Sequence, residues 1–403
     1  LVQFNDAGEV QLYVEVDAIS EAALKALADR GLRTETASAE LGLVQGWASA
    51  RAIESLARVK SVRAIRPPDY AHTRMGSCMT GGDAILNADA VRAAGIRGAG
   101  TRIGVLSDGV TNRAVAQASG DLPQSILIDP AYPGSGDEGT AILEILYDIA
   151  PDARLVFSGP YTSVEFVNGL NYLVNIVGCD IVLDDVGFYA EPYFEDGPVA
   201  RAVAAIVDKT VYVSACGNDG HRHWQGPYHD WNPGTTGWPN DLHLFGPGDT
   251  ANLLIVPPGG RLAVFLQWSE PVGATASDYD LFLYDDQVTT ALTWSNAVQD
   301  GDDNPYEALT WHNAGGAPVR VNVLVNRAAG PVQTLELFTW DVTWMEQVIS
   351  ADAIFGHPSV PGVVSAGAIS EFDPDHDTIA GWSSIGPSTI LFPAPEIRNT
   401  PSL

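Results

Sequence analysis

Residues 101–108, TRIGVLSD, are followed by 138–150, EGTAILEILYDIA, and 153–159, ARLVFSG. The outer two stretches are near-continuous apolar runs of strand length, and the middle one carries apolar residues at helical spacing. Two strands apolar on both faces, joined through a helix, form a parallel pair that helices cover. The alternation continues outward. SILID at 125–129 reads as a strand, 164–178 (VEFVNGLNYLVNIVG) as a helix, 180–188 (DIVLDDVGF) as a strand, 198–208 (PVARAVAAIVD) as a helix and 210–218 (TVYVSACGN) as a strand. The fold class is therefore α/β, a doubly wound parallel sheet beginning near residue 98.

The flanking patterns differ. Residues 10–66 read as strand, helix, strand, strand, helix, strand, a split βαβ unit of ferredoxin-like type. Ser20 supplies an N-cap for the first helix and Gly31 its stop. Pro67-Pro68 opens a polar linker and lead-in, 69–97. Between 221 and 345 the helical period vanishes. Seven short strands take over, from ANLLIVP at 251–257 to QTLELFTWD at 333–341, separated by Gly, Pro, Asp and Asn turns, as in an all-β sandwich. The α/β pattern resumes with VPGVVSAGAI at 360–369, so the sandwich is an insertion. The expected organisation is 1–68, 69–97, an α/β domain from 98–220 and 346–403, and a sandwich from 221–345.

Composition narrows the function. Fifty acids against 21 Lys and Arg give a net charge of -29, which argues against a nucleic-acid partner. No uncharged apolar run is long enough to span a bilayer. The start LVQFNDAGEV has neither an initiator Met nor a signal-peptide core, so a removed leader or a fragment is expected. Sparse lysine and an acidic surface are compatible with secretion. Cys78, Cys179 and Cys216 are too few and scattered for a disulfide framework or zinc site, and the last two read as buried thiols.

The blocks TRIGVLSDGV, GDEGTAILEILYDIAPDARL, DIVLDDVGF, VYVSACGNDG, VPGVVSAGAI and GWSSIGPS follow one another in the order found in subtilisin-like serine peptidases. The chain resembles that family over about 98–220 and 356–401. The N-terminal unit is similar to its inhibitory prodomain, and the insertion to pre-peptidase C-terminal accessory domains. The resemblance implies a polypeptide substrate, the chain's own prodomain as partner, and secretion. It implies Asp108 as the acid orienting the base, although a gapless match puts Ser107 on the family's aspartate position and Asp108 one residue later. It implies Glu138 as the base, since Glu138-Gly139-Thr140 stands where the family has His-Gly-Thr. The related sedolisins use a glutamate base with an aspartate one helical turn on, where this chain has Ile142. Asn218 occupies the oxyanion-donor position, and Asp184 and Asp185 follow the strand bordering the substrate cleft.

Each residue also has a plain structural reading. Asp108 and Asn218 stand beside glycines as turn formers, Glu138 suits a helix's first turn, and strand-end acids are commonly solvated. The family's Gly-Thr-Ser nucleophile is expected beyond 403, and Ser383 and Ser384 read as a surface turn. No cofactor is expected. The acidic turn 299–307 and the pair Asp278 and Asp280 offer oxygen ligands that would suit calcium. The rival function is a non-catalytic peptide- or polymer-binding protein with a degenerate site.

Overall fold

The structure is a computed structural model, and it describes residues 3–5, 7–68, 72–73, 82–235, 237–370 and 372–403. Cys78 and most of the expected linker lie outside the described residues. The chain divides into two compact units, Leu1–Phe188 with Ala205–Val213, and Tyr189–Ala204 with Ser214–Leu403.

The first unit opens with strands Val10–Val16, Arg33–Ser38, Leu43–Ala48 and Val62–Arg66. They form an antiparallel sheet in which Val10–Val16 lies between Leu43–Ala48 and Val62–Arg66, with Arg33–Ser38 at the edge. Helix Glu21–Ala28 starts where Ser20 accepts from Ala23 N, and it buries Leu27 against Leu12, Val14 and Val44. A short helix, Ile53–Ala57, buries Leu56 in the same core. This is the βαββαβ order anticipated from the apolar spacing.

Four strands of the first unit form a parallel sheet. They run side by side in the order Ile181–Asp184, Arg102–Leu106, Arg154–Gly159, Leu127–Pro133. Their registers are parallel, with Leu106 level with both Ser158 and Asp184. Parallel strands end on the same side, so Ser107, Asp108 and Asp185 emerge together at the carboxyl edge. Helix Glu138–Ile149 buries Leu143 in a core with Val105, Leu155 and Phe157.

Helix Ser163–Asn171 is capped by Thr162, which accepts from Glu165 N. It carries the N-terminal sheet. Tyr13 Oη lies 3.1 Å from Ser163 Oγ and accepts from Val164 N at 3.1 Å, while Gln45 Oε1 accepts from Thr162 Oγ1 at 2.7 Å. Tyr13, Leu43 and Val164 close an apolar contact around these bonds.

In the second unit the seven anticipated strands are present, together with His223–Pro227 and Trp344–Met345. They form antiparallel sheets of four and five strands. The inner faces bury Leu254, Leu266, Trp268, Leu281, Val323 and Leu337. Residues 189–204 and 346–403 share this unit. Tyr189, Tyr193, Phe194 and Phe355 pack on Phe338 of the sandwich, and Tyr189 stacks on Phe265 with ring centres 4.9 Å apart. Among the described residues no helix is long and apolar enough to cross a membrane.

Candidate active site

The carboxyl edge of the first unit's strands gathers four acids: Asp108, Glu138, Asp184 and Asp185. Asp108 follows strand Arg102–Leu106, and its Oδ1 accepts from Glu138 N at 2.9 Å and from Gly139 N at 3.4 Å. It therefore holds the first turn of helix Glu138–Ile149, satisfying donors that the helix itself leaves unpaired. Gly136 lets the carboxylate reach that turn. It has φ +145°, and a Cβ there would collide with the Asp108 carboxylate.

Glu138 is half-buried, with Oε2 fully shielded from solvent. Asp137, beside it, is engaged elsewhere. Its Oδ1 accepts from Asn112 N and Thr140 Oγ1, both at 2.7 Å, and its Oδ2 accepts from Asn112 Nδ2. Burial pushes Asp137 up, but these donors outweigh it and hold the carboxyl below its ordinary value.

Asp184 and Asp185 are both buried. Asp184 Oδ1 accepts from Val186 N at 3.2 Å, closing a tight turn. Asp185 Oδ2 accepts from Ser107 Oγ at 3.0 Å, and Ser107 has no exposed surface. Burial first, and then the charge of Glu138, push the Asp185 carboxyl well above the ordinary range. Asp184 and Asp108 add to this, and the Ser107 hydrogen bond opposes it. Directly after this pair, Val186–Gly187 forms antiparallel backbone pairs with His72–Thr73. An extended segment of the chain thus already lies along the strand beside the acids.

Asn218 belongs to the second unit. It is half-buried after strand Val211–Ala215, between Gly217, at φ +108°, and Asp219, whose Oδ1 accepts from Tyr189 Oη at 2.7 Å. Ser384 secures this turn, its N donating to Gly217 O and its Oγ accepting from Asp219 N. Ser383 and Ser384 are buried parts of that scaffold. Cys216 and Cys179 are buried thiols that form no disulfide among the described residues, and burial, then Asp180, pushes Cys179 up to about 11.

Asp300, Asp302 and Asp303 bring carboxylate oxygens within 4.8 Å of one another on an exposed turn. Asp278 is buried on strand Asp278–Asp285, its carboxyl pushed up by burial and by Asp280. An exposed acidic trio is commonly a solvated turn.

Sequence reasoning identified the four acids and Asn218 as candidates. The pairing of His72–Thr73 with Val186–Gly187 was not legible, because a two-residue strand carries no periodicity. The Ser107–Asp185 bond joins residues 78 positions apart, and only the parallel register brings them level.

No family model matches the chain, and no curated protein does. Among solved structures it is similar to the Clostridium perfringens CspB protease, at 13% identity over 77% of this chain and 76% of that one, with a TM-score of 0.47. It is similar to EpiP, the epidermin leader peptide processing serine protease of Staphylococcus aureus, at 16% identity and a TM-score of 0.36, over 53% of this chain and 61% of that one. The pre-peptidase C-terminal domain of a Bacillus anthracis collagenase matches 30% of this chain and 89% of its own length, at 9% identity and a TM-score of 0.20. None of these likenesses is strong enough to assign an activity.

Proposed function

We propose that the chain is part of a secreted serine endopeptidase of subtilisin-like type that hydrolyses peptide bonds with Glu138 as general base. One observation carries the reading: an extended backbone segment, His72–Thr73, pairs with Val186–Gly187 immediately beyond the buried acids. A strand edge that accepts a peptide by main-chain hydrogen bonds, next to a carboxylate of a partly shielded site, is what peptide hydrolysis requires of its binding cleft.

In this reading Asp184 and Asp185 border the substrate strand, and Glu138 takes the proton of a nucleophilic serine. Asp108 fixes the helix from which Glu138 projects. Ser107 is fully buried and donates to Asp185, so it is not presented to a substrate. The attacking serine is assigned to a Gly-Thr-Ser segment of the full gene product. The N-terminal sheet, docked on helix Ser163–Asn171 through Tyr13 and Gln45, acts as the chain's own prodomain, and His72–Thr73, in the linker that follows it, occupies the substrate strand.

The test is hydrolysis of a fluorogenic protein substrate by the full gene product. Turnover that is lost on covalent serine modification supports the reading. Tight peptide binding without turnover contradicts it and favours the rival, a peptide-binding protein with a degenerate site.

A further inference from the structure

The four acids at the strand ends are not equivalent. Asp108 is committed to the backbone of Glu138 and Gly139, and Asp184 to the turn at Val186. Asp185 is different. It is only 7% exposed, one oxygen is fixed by Ser107, and its Oδ1 is buried with no hydrogen-bond partner among the described residues. The level register of Leu106 with Asp184 brings the residues that follow, Ser107 and Asp185, together at one edge of the sheet. The start of helix Glu138–Ile149 is anchored to that same edge through Asp108.

We propose that Asp185, rather than Asp108, is the positioning partner of Glu138, the two forming a buried carboxyl pair in which Ser107 fixes one Asp185 oxygen and the other serves Glu138. The assignment rests on the hydrolytic reading for its chemistry but not for its geometry. Among the described residues the charges of Glu138, Asp184 and Asp108 push the Asp185 carboxyl up, and the Ser107 hydrogen bond opposes them. Two carboxyls at close range in a desolvated site hold one proton between them. The proposed pair keeps the proton on Asp185, whose otherwise unpartnered Oδ1 is available to donate to the ionised Glu138 and fix the plane of its carboxylate. When Glu138 takes the serine proton, the proton on Asp185 stays where it is, so the partner orients the base without exchanging with it.

The pair makes a prediction independent of turnover. A carboxyl whose folded value is raised adds stability at low pH that is lost as pH rises through that value. The denaturant midpoint of the full chain, read by hydrogen exchange in helix Glu138–Ile149, is measured from pH 4 to 8. The variants are Asp185→Asn, Glu138→Gln and the double substitution. Asp185→Asn should flatten the fall of the midpoint with pH, and the flattening should be much smaller in the Glu138→Gln background. Equal flattening in both backgrounds means a lone buried aspartate and overturns the pair. Should Asp185→Asn fail to fold, Ser107→Ala serves: losing the opposing hydrogen bond should steepen the fall in the wild-type background and much less in the Glu138→Gln background, and equal steepening in both would overturn the pair. An unchanged slope would overturn the pair.

The second arm uses turnover of the full gene product. Asp185→Asn should lower kcat about 10- to 100-fold with KM nearly unchanged, through misplacement of the base. Coupled midpoints without any wild-type hydrolysis would support the pair and overturn the hydrolytic reading. Wild-type hydrolysis with uncoupled midpoints would retain that reading and overturn the pair.

Discussion

Ser107 Oγ donates to Asp185 Oδ2 across 3.0 Å, joining the carboxyl ends of two adjacent parallel strands. Neither residue has appreciable access to water. Replacing Ser107 by Ala removes the donor and leaves a buried carboxyl oxygen unsatisfied, which costs about 1–3 kcal/mol. Denaturation read by exchange in strand Arg102–Leu106 should report that loss. A change near zero would mean that water replaces the hydroxyl and that the strand ends are not closed.

Asp108 offers a different test, because its contacts are with the backbone of Glu138 and Gly139. Asp108→Ala should destabilise the first turn of helix Glu138–Ile149 by about 1–2 kcal/mol, as for loss of an N-cap. Asp108→Asn retains an acceptor oxygen and should cost less than half as much. Amide exchange at Glu138 and Gly139 measures both. Equal effects of the two substitutions would mean that the negative charge, rather than the acceptor, is what matters.

The docking of the N-terminal sheet should depend on pH. Gln45 Nε2 donates to Glu165 Oε1 and to Glu35 Oε2, both at 3.2 Å, so it bridges two acids. Burial, with the charge of Glu35 added, raises Glu165 above its ordinary 4.5, against the opposing donors Tyr161, Gln45 and Thr162. A raised folded value means stability that is complete at low pH and lost as pH climbs through that value. Exchange in helix Ser163–Asn171 should therefore accelerate as pH rises above about 4.5, beyond the intrinsic rate change, and Glu165→Gln should suppress the effect. Acceleration on acidification would reverse the sign and refute the account.

Tyr13 provides the pH-independent part of the same contact. Tyr13→Phe keeps the ring but leaves Val164 N without its acceptor and Ser163 Oγ without its neighbour. A buried donor so orphaned costs about 1–3 kcal/mol, so exchange in the helix should quicken on the order of 10-fold or more. Unaltered exchange would mean that the apolar contact of Leu43 and Val164 and the Gln45 hydrogen bonds hold the sheet without the Tyr13 hydroxyl.

Much of the fold was legible because its periods are strong. The strands around Val105 and Val156 are apolar on both faces, the sandwich strands alternate, and Ser20 caps its helix as the residue type suggests. The boundary of the compact units was less so. The aromatic cluster of Tyr189, Tyr193 and Phe355 with Phe338 ties distant segments to the sandwich, and no local pattern announces such a contact. At the site, the residue types were legible and their assignments were not. Asp108 and Asp185 both read as strand-end acids. Which one faces a backbone amide and which one a serine is decided by register and by the close approach at Gly136.

The central claim is that Glu138 is the base of a hydrolytic site, and the most direct measurement is the kcat of the full gene product against pH for the wild type and Glu138→Gln. Glu138→Gln keeps shape and removes the basic oxygen, so kcat should fall by roughly 10² to 10⁴. In the wild type, activity should rise through the ionisation of a carboxyl, with no ascending limb near the histidine value of about 6.5. Wild-type turnover in Glu138→Gln, or an ascending limb that titrates as an imidazole, would contradict the account.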